Sequence, residues 1–136
     1  MIMQLAELNY WAILLASLSS FMLGGLWYSP VLFGKTWLEG CGLTELDLRN
    51  SDPKLIYGLA FILSLLAAFV LALILGPDPN ITQSIIIGAA VGIGLASSSL
   101  GISYIFEQRP LSLFLVNGGY HTFQFILMAV ILSVTG

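Results

Sequence analysis

The sequence predicts an all-α integral membrane protein, a bundle of four antiparallel transmembrane helices with a short interfacial helix after the first. Four long apolar runs fill most of the 136 residues, and nearly every charge lies in the short gaps between them. Each run reaches the roughly 20 residues that a helix needs to cross a bilayer. The runs cover residues 8–27, 55–75, 81–106 and 111–134.

The composition agrees with a lipid environment. Hydrophobic residues make up 58% of the chain and charged residues 8%, and the mean hydropathy is +0.98. A soluble domain carries about 25% charged residues, so a water-solvated surface is hard to build from this chain. The four runs use more than half of it, and we therefore expect a single domain over residues 1–136. The first run exceeds the apolar stretch of a cleaved signal peptide, and we expect it to be retained.

Local signals divide the chain between the first two runs. Pro30 ends the first helix, and residues 31–38 mix apolar side chains with Lys35, as an interfacial helix does. Thr44 and Asp47 have the spacing of a capping box. Asp52 directly before a proline is a helix start signal for the second span.

Two tight turns order the remaining spans. Residues 76–80 contain two prolines and cannot continue a helix. The second and third spans are therefore predicted to form an antiparallel hairpin. Residues 106–110 form the matching turn at the opposite membrane face.

The basic residues all fall on one side of this topology. Lys35, Arg49 and Lys54 lie between the first and second spans, and Arg109 lies between the third and fourth. Cytoplasmic loops are enriched in Lys and Arg. We therefore predict that both termini face outward and that the long first loop faces inward.

Three polar residues share one face of the last span. Asn117, His121 and Gln124 lie within roughly 60° of each other on a helix. His121 stands about 15 Å along the helix from Leu111, near the midplane. The stripe is expected to point into the bundle or a subunit interface, away from lipid.

His121 allows two interpretations. It is either a neutral packing residue bonded to a serine or a backbone carbonyl, or a proton-accepting or ligand-binding group. A single histidine cannot supply a metal site within one chain, and we predict no metal or other cofactor.

The third span is rich in small residues on two faces. Small residues let helix backbones approach closely, so we predict that this span is central, either within the monomer or at a homo-oligomer contact. Gly88, Gly92 and Ala96 are the predicted packing residues. The alternative is that the glycines permit bending for transport. The first face comprises Ser84, Gly88, Gly92, Ala96, Ser99 and Ser103, and the second comprises Ala90, Gly94, Ser98 and Gly101.

A group of charged and aromatic residues is expected at the inner rim. Lys35 and Glu107 are placed to form an ion pair between the two inner loops. Alternatively, Lys35 and Arg109, with Trp27 and Trp37, contact anionic lipid headgroups.

The chain resembles a known family in three of its segments. These are residues 9–12, residues 26–37 with the pattern Trp-Tyr-x-Pro…Phe-Gly-Lys-x-Trp, and the pattern Phe106-Glu107-x-Arg109-Pro110 followed by Gly119-Tyr120. They are similar to an uncharacterised family of small bacterial four-helix membrane proteins. The resemblance implies the same fold and topology in a bacterial inner membrane. It implies no activity, cofactor or catalytic residue.

The functional prediction is correspondingly broad. The sequence contains no phosphate-binding loop, dinucleotide fingerprint or nucleophile elbow, and four scattered basic residues do not form a nucleic-acid footprint. We predict a non-enzymatic, self-associating membrane protein that acts as a scaffold or binds partners or lipids. The alternative is a small channel or carrier with a polar pathway around His121.

Overall fold

A computed structural model describes residues 5 and 7–135, and four of its helices are long and apolar enough to span a membrane. They confirm the predicted fold class and lie within two residues of the predicted limits. A short helix follows the first span, as predicted, although it begins three residues later than expected. The helices are α1 (Tyr10–Trp27), α2 (Gly34–Cys41), α3 (Glu45–Arg49), α4 (Pro53–Leu75), α5 (Ile81–Phe106) and α6 (Leu111–Thr135).

Side-chain caps determine where α3 and α4 begin. The Thr44 hydroxyl accepts a hydrogen bond from the Asp47 N–H, and the Asp47 carboxylate accepts one from the Thr44 N–H, so the predicted capping box is formed. The Asp52 carboxylate accepts from the Leu55 N–H, and Pro53 occupies the first turn of α4. Both starts therefore follow from local sequence.

The bundle has two distinct ends. At the terminal end, the turn over residues 76–80 lies with the start of α1 and the end of α6, and the Asn9 amide, directly before α1, donates to the Thr135 carbonyl of α6 over 2.9 Å. At the loop end lie α2, α3 and the turn over residues 106–110. There α2 packs on α6, since a Cβ at Gly40 would stand 2.9 Å from Leu113 Cβ.

The last span lies at the centre of the monomer. Of the most apolar stretch of α6, 39% is buried, against 17% for α5. Helices α1 and α5 pack on α6, while α4 packs on α1 and α6 and contacts α5 mainly near their connecting turn. Of the two positions predicted for the third span, the central one within the monomer was therefore wrong, and the homo-oligomer contact stays a prediction. The physical reason is that α6 has small residues toward two neighbours, with Gly118 beside Ser97 of α5 and Gly119 beside Trp27 of α1.

The apolar core lies in the terminal half of the bundle. Alanines of one helix face larger side chains of another, which lets the helices approach closely. The loop-side half of α4 differs, because all residues from 53 to 60 are exposed. Its main packing contact is Phe21, whose ring meets Tyr57 and Phe61 edge-on at 6.0 and 5.9 Å. The core residues are Ala12, Ile13, Ala16, Ala68, Leu71, Ala72, Met128, Ala129 and Leu132.

A π-helical segment interrupts α5 at Ala90–Ser97. At its end the Ser98 N–H bonds to the Ile93 carbonyl, five residues earlier. One extra residue per turn rotates the remainder of the helix relative to an uninterrupted α-helix. The row of residues facing α6 is therefore 84, 88, 92, 97, 101 and 104, with a step of five in the middle.

This shift changes two predicted faces. Ser97 follows Gly92 in the row and is 7% exposed, whereas α-helical spacing predicted Ala96 at that place; Ala96 is half-buried. Gly101 was predicted on the opposite face, but a Cβ there would stand 2.9 Å from the Phe114 ring of α6. Beyond the π-helical segment, the predicted faces were therefore wrong by about one residue.

Candidate functional site

The predicted polar stripe of α6 faces the protein, but its three residues belong to two clusters. Gln124 is 6% exposed, and Asn117 and His121 are half-buried. Each of the three makes a side-chain hydrogen bond to another described residue. Asn117 and Gln124 therefore link α6 to other parts of the bundle, whereas His121 bonds Gln124 within α6.

The first cluster, the Gln124 cluster, consists of Ser20, Tyr120, His121 and Gln124. The Gln124 amide donates to the Ser20 hydroxyl over 2.9 Å, and its carbonyl oxygen lies 2.9 Å from His121 Nδ1. The Tyr120 hydroxyl donates to the Ser20 carbonyl over 3.1 Å. We expected a serine or backbone partner for His121, and the structure instead places Gln124 between the histidine and the serine.

The second cluster, the Asn117 cluster, joins three helices at the loop end. The Tyr28 hydroxyl donates to the Asn117 side-chain oxygen, and the Asn117 amide donates to the Tyr104 hydroxyl, each over 2.6 Å. Tyr28 follows α1, and Tyr104 lies in the last turn of α5. The rings of Tyr28 and Tyr120 stand 5.4 Å apart and bring the two clusters into contact.

Sequence analysis missed the three tyrosines of these clusters. Tyr28 was noted as part of the family pattern, whereas its hydroxyl points inward to Asn117. The available signal was depth, because Tyr28, Tyr104 and Asn117 each lie within about two turns of the loop end of their helices. Ser20 was not recognised as a partner of this stripe, because that depends on how the helices are rotated about their axes.

The small residues of α5 have different environments on its two sides. A Cβ added at Gly88 would lie 2.7 Å from the Phe125 carbonyl oxygen, and one at Gly92 would lie 2.7 Å from Thr122 Cα. Both glycines are therefore in backbone contact with α6 within the monomer. A Cβ at Gly94, by contrast, would have no neighbour within 4 Å.

Trp27 and Trp37, predicted at the inner rim, contact the protein. The Trp27 indole N–H donates to the Val116 carbonyl over 2.8 Å, and its ring packs on Phe33 and Phe123. The Trp37 ring lies 5.5 Å from that of Tyr28.

The charged rim residues form a different pair from the one predicted. Glu107 lies 3.4 Å from Arg109, with both side chains exposed, and Lys35 is exposed without forming the predicted ion pair to Glu107. The Glu107–Arg109 pair spans one turn of chain and does not connect the two loops. An exposed pair of this kind contributes little to stability.

Neither a metal cluster nor a reactive thiol emerges from the described residues. Over residues 5 and 7–135, no three His, Cys, Asp or Glu side chains come together. Cys41 is half-buried beside the loop-end turn. Burial raises the pKa of its thiol, an effect that nearby Arg109 partly opposes, so the thiol is protonated at neutral pH.

A cavity of about 470 Å³ opens at the terminal end. It lies between the start of α1, the end of α4 and the following turn, and it touches none of the predicted site residues. Its lining comprises Glu7, Leu8, Asn9, Ala12, Ala72, Leu75, Gly76, Pro77, Asp78, Pro79 and Leu132.

Comparison with known proteins identifies a family whose function is not known. Residues 11–133 match the model of a family described as "Protein of unknown function (DUF1761)". The match covers nearly the whole chain, from the start of α1 to the end of α6. No curated protein and no solved structure matches the chain.

Proposed function

Because the chain belongs to this family of unknown function, we propose a role from its surfaces: a small, non-enzymatic membrane protein that self-associates and acts as a scaffold for membrane partners. The proposal places it in the bacterial inner membrane with both termini outside. One observation carries the self-association, namely a face of small residues on α5 that the monomer leaves uncovered.

The polar interior supports a structural role. In the Gln124 and Asn117 clusters, both side-chain amides are engaged at each end by hydroxyl or imidazole groups of the same chain. Such interhelical hydrogen bonds satisfy groups that hydrocarbon would leave unpaired. These groups hold α1, α5 and α6 together, and the proposal therefore assigns them no chemical step.

The uncovered surface, called here the open small face, consists of Ala90, Gly94 and Ser98. All three are exposed, and the space around Gly94 is free to 4 Å. The Ser98 hydroxyl donates to the Gly94 carbonyl over 2.5 Å, so it needs no other partner. The face is therefore flat and internally hydrogen-bonded.

Gly88 and Gly92 show what such a face does in this protein. There the missing side chains allow α5 to touch the backbone of α6. Lipid gains nothing from small residues, whereas a second helix gains van der Waals contact. The open small face is thus suited to a helix outside the monomer, most simply α5 of a second copy.

The charge distribution supports the proposed orientation. Lys35, Arg49, Lys54 and Arg109 all lie in the segments of the loop end. Because basic residues are retained on the cytoplasmic side, the loop end is proposed to face the cytoplasm. Lys35 and Arg109 are exposed there and are available to anionic lipid headgroups.

Disulfide cross-linking in membranes tests the proposed contact. Cys41 is the only cysteine, so Cys41→Ala gives a background without thiols. Ser98→Cys in that background should form a covalent dimer under mild oxidation, because the open small faces of two copies meet. The matched control is Leu66→Cys, on the exposed side of α4 (58% exposed), which should not form one. Equal yields at the two positions, or none at Ser98→Cys, would contradict the proposal.

A further inference from the structure

His121 has one ring nitrogen that the described residues leave free. The Gln124 amide nitrogen donates to Ser20, so the carbonyl oxygen of the same amide is the atom that faces His121 Nδ1. In this assigned orientation of the amide the carbonyl oxygen accepts from Nδ1, which then carries the proton. In a neutral imidazole the other nitrogen, Nε2, then bears a lone pair and acts as an acceptor.

This acceptor is open to its surroundings. No described residue donates to Nε2. Across residues 5 and 7–135, the one fully buried side-chain N or O atom without a partner is Ser84 Oγ, so Nε2 is not sealed in the core. Gln124 and Ser20, 6% and 0% exposed, fix the orientation of the ring from behind.

The ring stands on the side of α6 that faces α4. Tyr120 and Gln124 face α1, while Gly118 and Thr122 face α5. By α-helical geometry His121 lies between these two rows. Farther along the same side, Met128 and Leu132 join the core with Ala68, Leu71 and Ala72 of α4.

At the level of His121, α4 contacts α1 through Phe21, but its residues 53–60 are exposed. The Ser17 hydroxyl bonds the Ser64 carbonyl of α4 one turn toward the terminal end from Ser20. His121 is one turn toward the loop end from Gln124, and so lies opposite α4 residues near 57–60, all of which are exposed. His121 is itself only half-buried, so we infer that its imidazole is approached past the exposed loop-side half of α4.

We propose that His121 Nε2 is the hydrogen-bond acceptor of a binding site for a neutral, membrane-dissolved hydroxyl compound. An unpaired acceptor in hydrocarbon is costly, and an O–H donor offsets this cost. A neutral ligand fits because no Asp, Glu, Lys or Arg lies within α1, α6 or the part of α4 beyond Lys54. The Tyr120 ring lies 5.3 Å from that of His121. This site goes beyond self-association, because it is built within one chain.

The single histidine of the chain makes the site directly observable. Protein labelled with ¹⁵N-histidine and reconstituted in lipid nanodiscs gives ring signals from residue 121 alone. Without ligand, a protonated Nδ1 and an unprotonated Nε2 are expected. Titration with 4-octylphenol should move the Nε2 signal saturably toward the protonated-nitrogen region, while Nδ1 changes little.

The matched probe is 4-octylanisole, which has a similar shape but no hydroxyl donor and should leave Nε2 unchanged. 1-Decanol shows whether the site also accepts an aliphatic hydroxyl group. A shift of the Nε2 signal with either 4-octylphenol or 1-decanol supports the site. An equal response to octylphenol and octylanisole, or no response to both alcohols, would overturn it.

Gly94→Leu separates this proposal from self-association. The octylphenol shift should persist in that variant, because the open small face contributes no atom to the site. Loss of the shift there would assign Nε2 to the contact between copies and overturn the proposal. If Gly94→Leu instead has the same oligomeric size as the wild type, the self-association proposal fails while the titration is still interpretable.

Discussion

Gly92 and Gly94 are two residues apart, yet they should respond oppositely to the same substitution. Gly92→Ala places a methyl group where Thr122 Cα stands 2.7 Å away, and overpacking of this kind costs about 1–3 kcal/mol. Gly94→Ala meets open space and replaces a poor helix former, so stability should be unchanged or higher by up to about 1 kcal/mol. Reversible unfolding in mixed micelles measures both variants. A Gly92→Ala variant as stable as the wild type would contradict the tight α5–α6 contact.

Gln124 should be the most sensitive polar residue of the stripe. Gln124→Leu leaves both Ser20 and His121 without their partner, and we expect a loss of about 1–2 kcal/mol in unfolding free energy. Gln83→Leu is the matched control, because Gln83 is exposed in the first turn of α5. The inference fails if the two variants are equally stable.

Asp47 provides a pH test of the capping box. Hydrogen bonds from the Thr44 backbone and side chain hold the pKa of its carboxyl below the usual value. A lowered folded-state pKa means that this carboxylate stabilises α3 above the unfolded-state pKa, and that the contribution is lost as pH falls through the lowered value. Thr44→Val removes the hydroxyl donor and should raise the pKa of Asp47 partway toward normal in an NMR titration. An unchanged titration would mean that the hydroxyl bond does not act on the carboxylate.

At the residue scale, the sequence predicted on which side of α6 the polar residues lie better than it predicted the residues to which they bond. Depth and helical spacing placed Asn117, His121 and Gln124 toward protein, where the structure has them. The identity of their partners depends on how α1 and α5 are rotated about their axes. That rotation is a property of packing, and apolar spans carry no strong amphipathic pattern from which to read it.

At the scale of elements, the π-helical segment of α5 determines which residues face α6. Deleting Leu95, which is 62% exposed, would leave Gly92 and Ser97 four positions apart, the spacing of an ordinary α-helix. We expect this variant to keep its fold and its α5–α6 contacts.

The matched control is deletion of Ile86, which is also 62% exposed but lies before the π-helical segment. It would rotate Ser84 by about 100° relative to Gly88 and should destabilise the protein strongly. Thermal unfolding compares the two deletions. Equal damage from both would show that the π-helical segment does not absorb one residue.

The helix limits and caps could be predicted from sequence, whereas this segment could not. The helix limits depend on Thr44, Asp52 and the prolines of the two turns. These residues act on their close neighbours in the chain, so their effect can be recognised in the sequence. The π-helical stretch Ala90–Ser97 contains only small and apolar residues, and the same composition fits an ordinary α-helix. The segment separates two places where α5 packs on α6, Gly88–Gly92 and Ser97–Gly101, and that packing cannot be deduced from the composition of α5.

At the scale of the whole molecule, four membrane-spanning helices meet in a bundle whose apolar core lies in the terminal half, while the loop-side half of α4 is exposed. The count and order of the spans follow from hydropathy, because lipid requires long apolar helices. The central position of α6 does not follow from hydropathy. Small residues indicate that a helix is in close contact with another helix, but they do not indicate which helix that is. Among the small residues of α5, Gly88 and Gly92 contact α6, whereas Ala90, Gly94 and Ser98 are left uncovered.

Subunit counting in lipid tests most directly whether that uncovered face joins two copies. Single-molecule photobleaching of dye-labelled protein at low density in nanodiscs or vesicles reports the number of chains per particle. The wild type should bleach in more than one step, and Gly94→Leu should bleach in a single step while unfolding at a temperature similar to that of the wild type. A wild-type protein that bleaches in one step, or a Gly94→Leu variant with the same count as the wild type, would contradict the account.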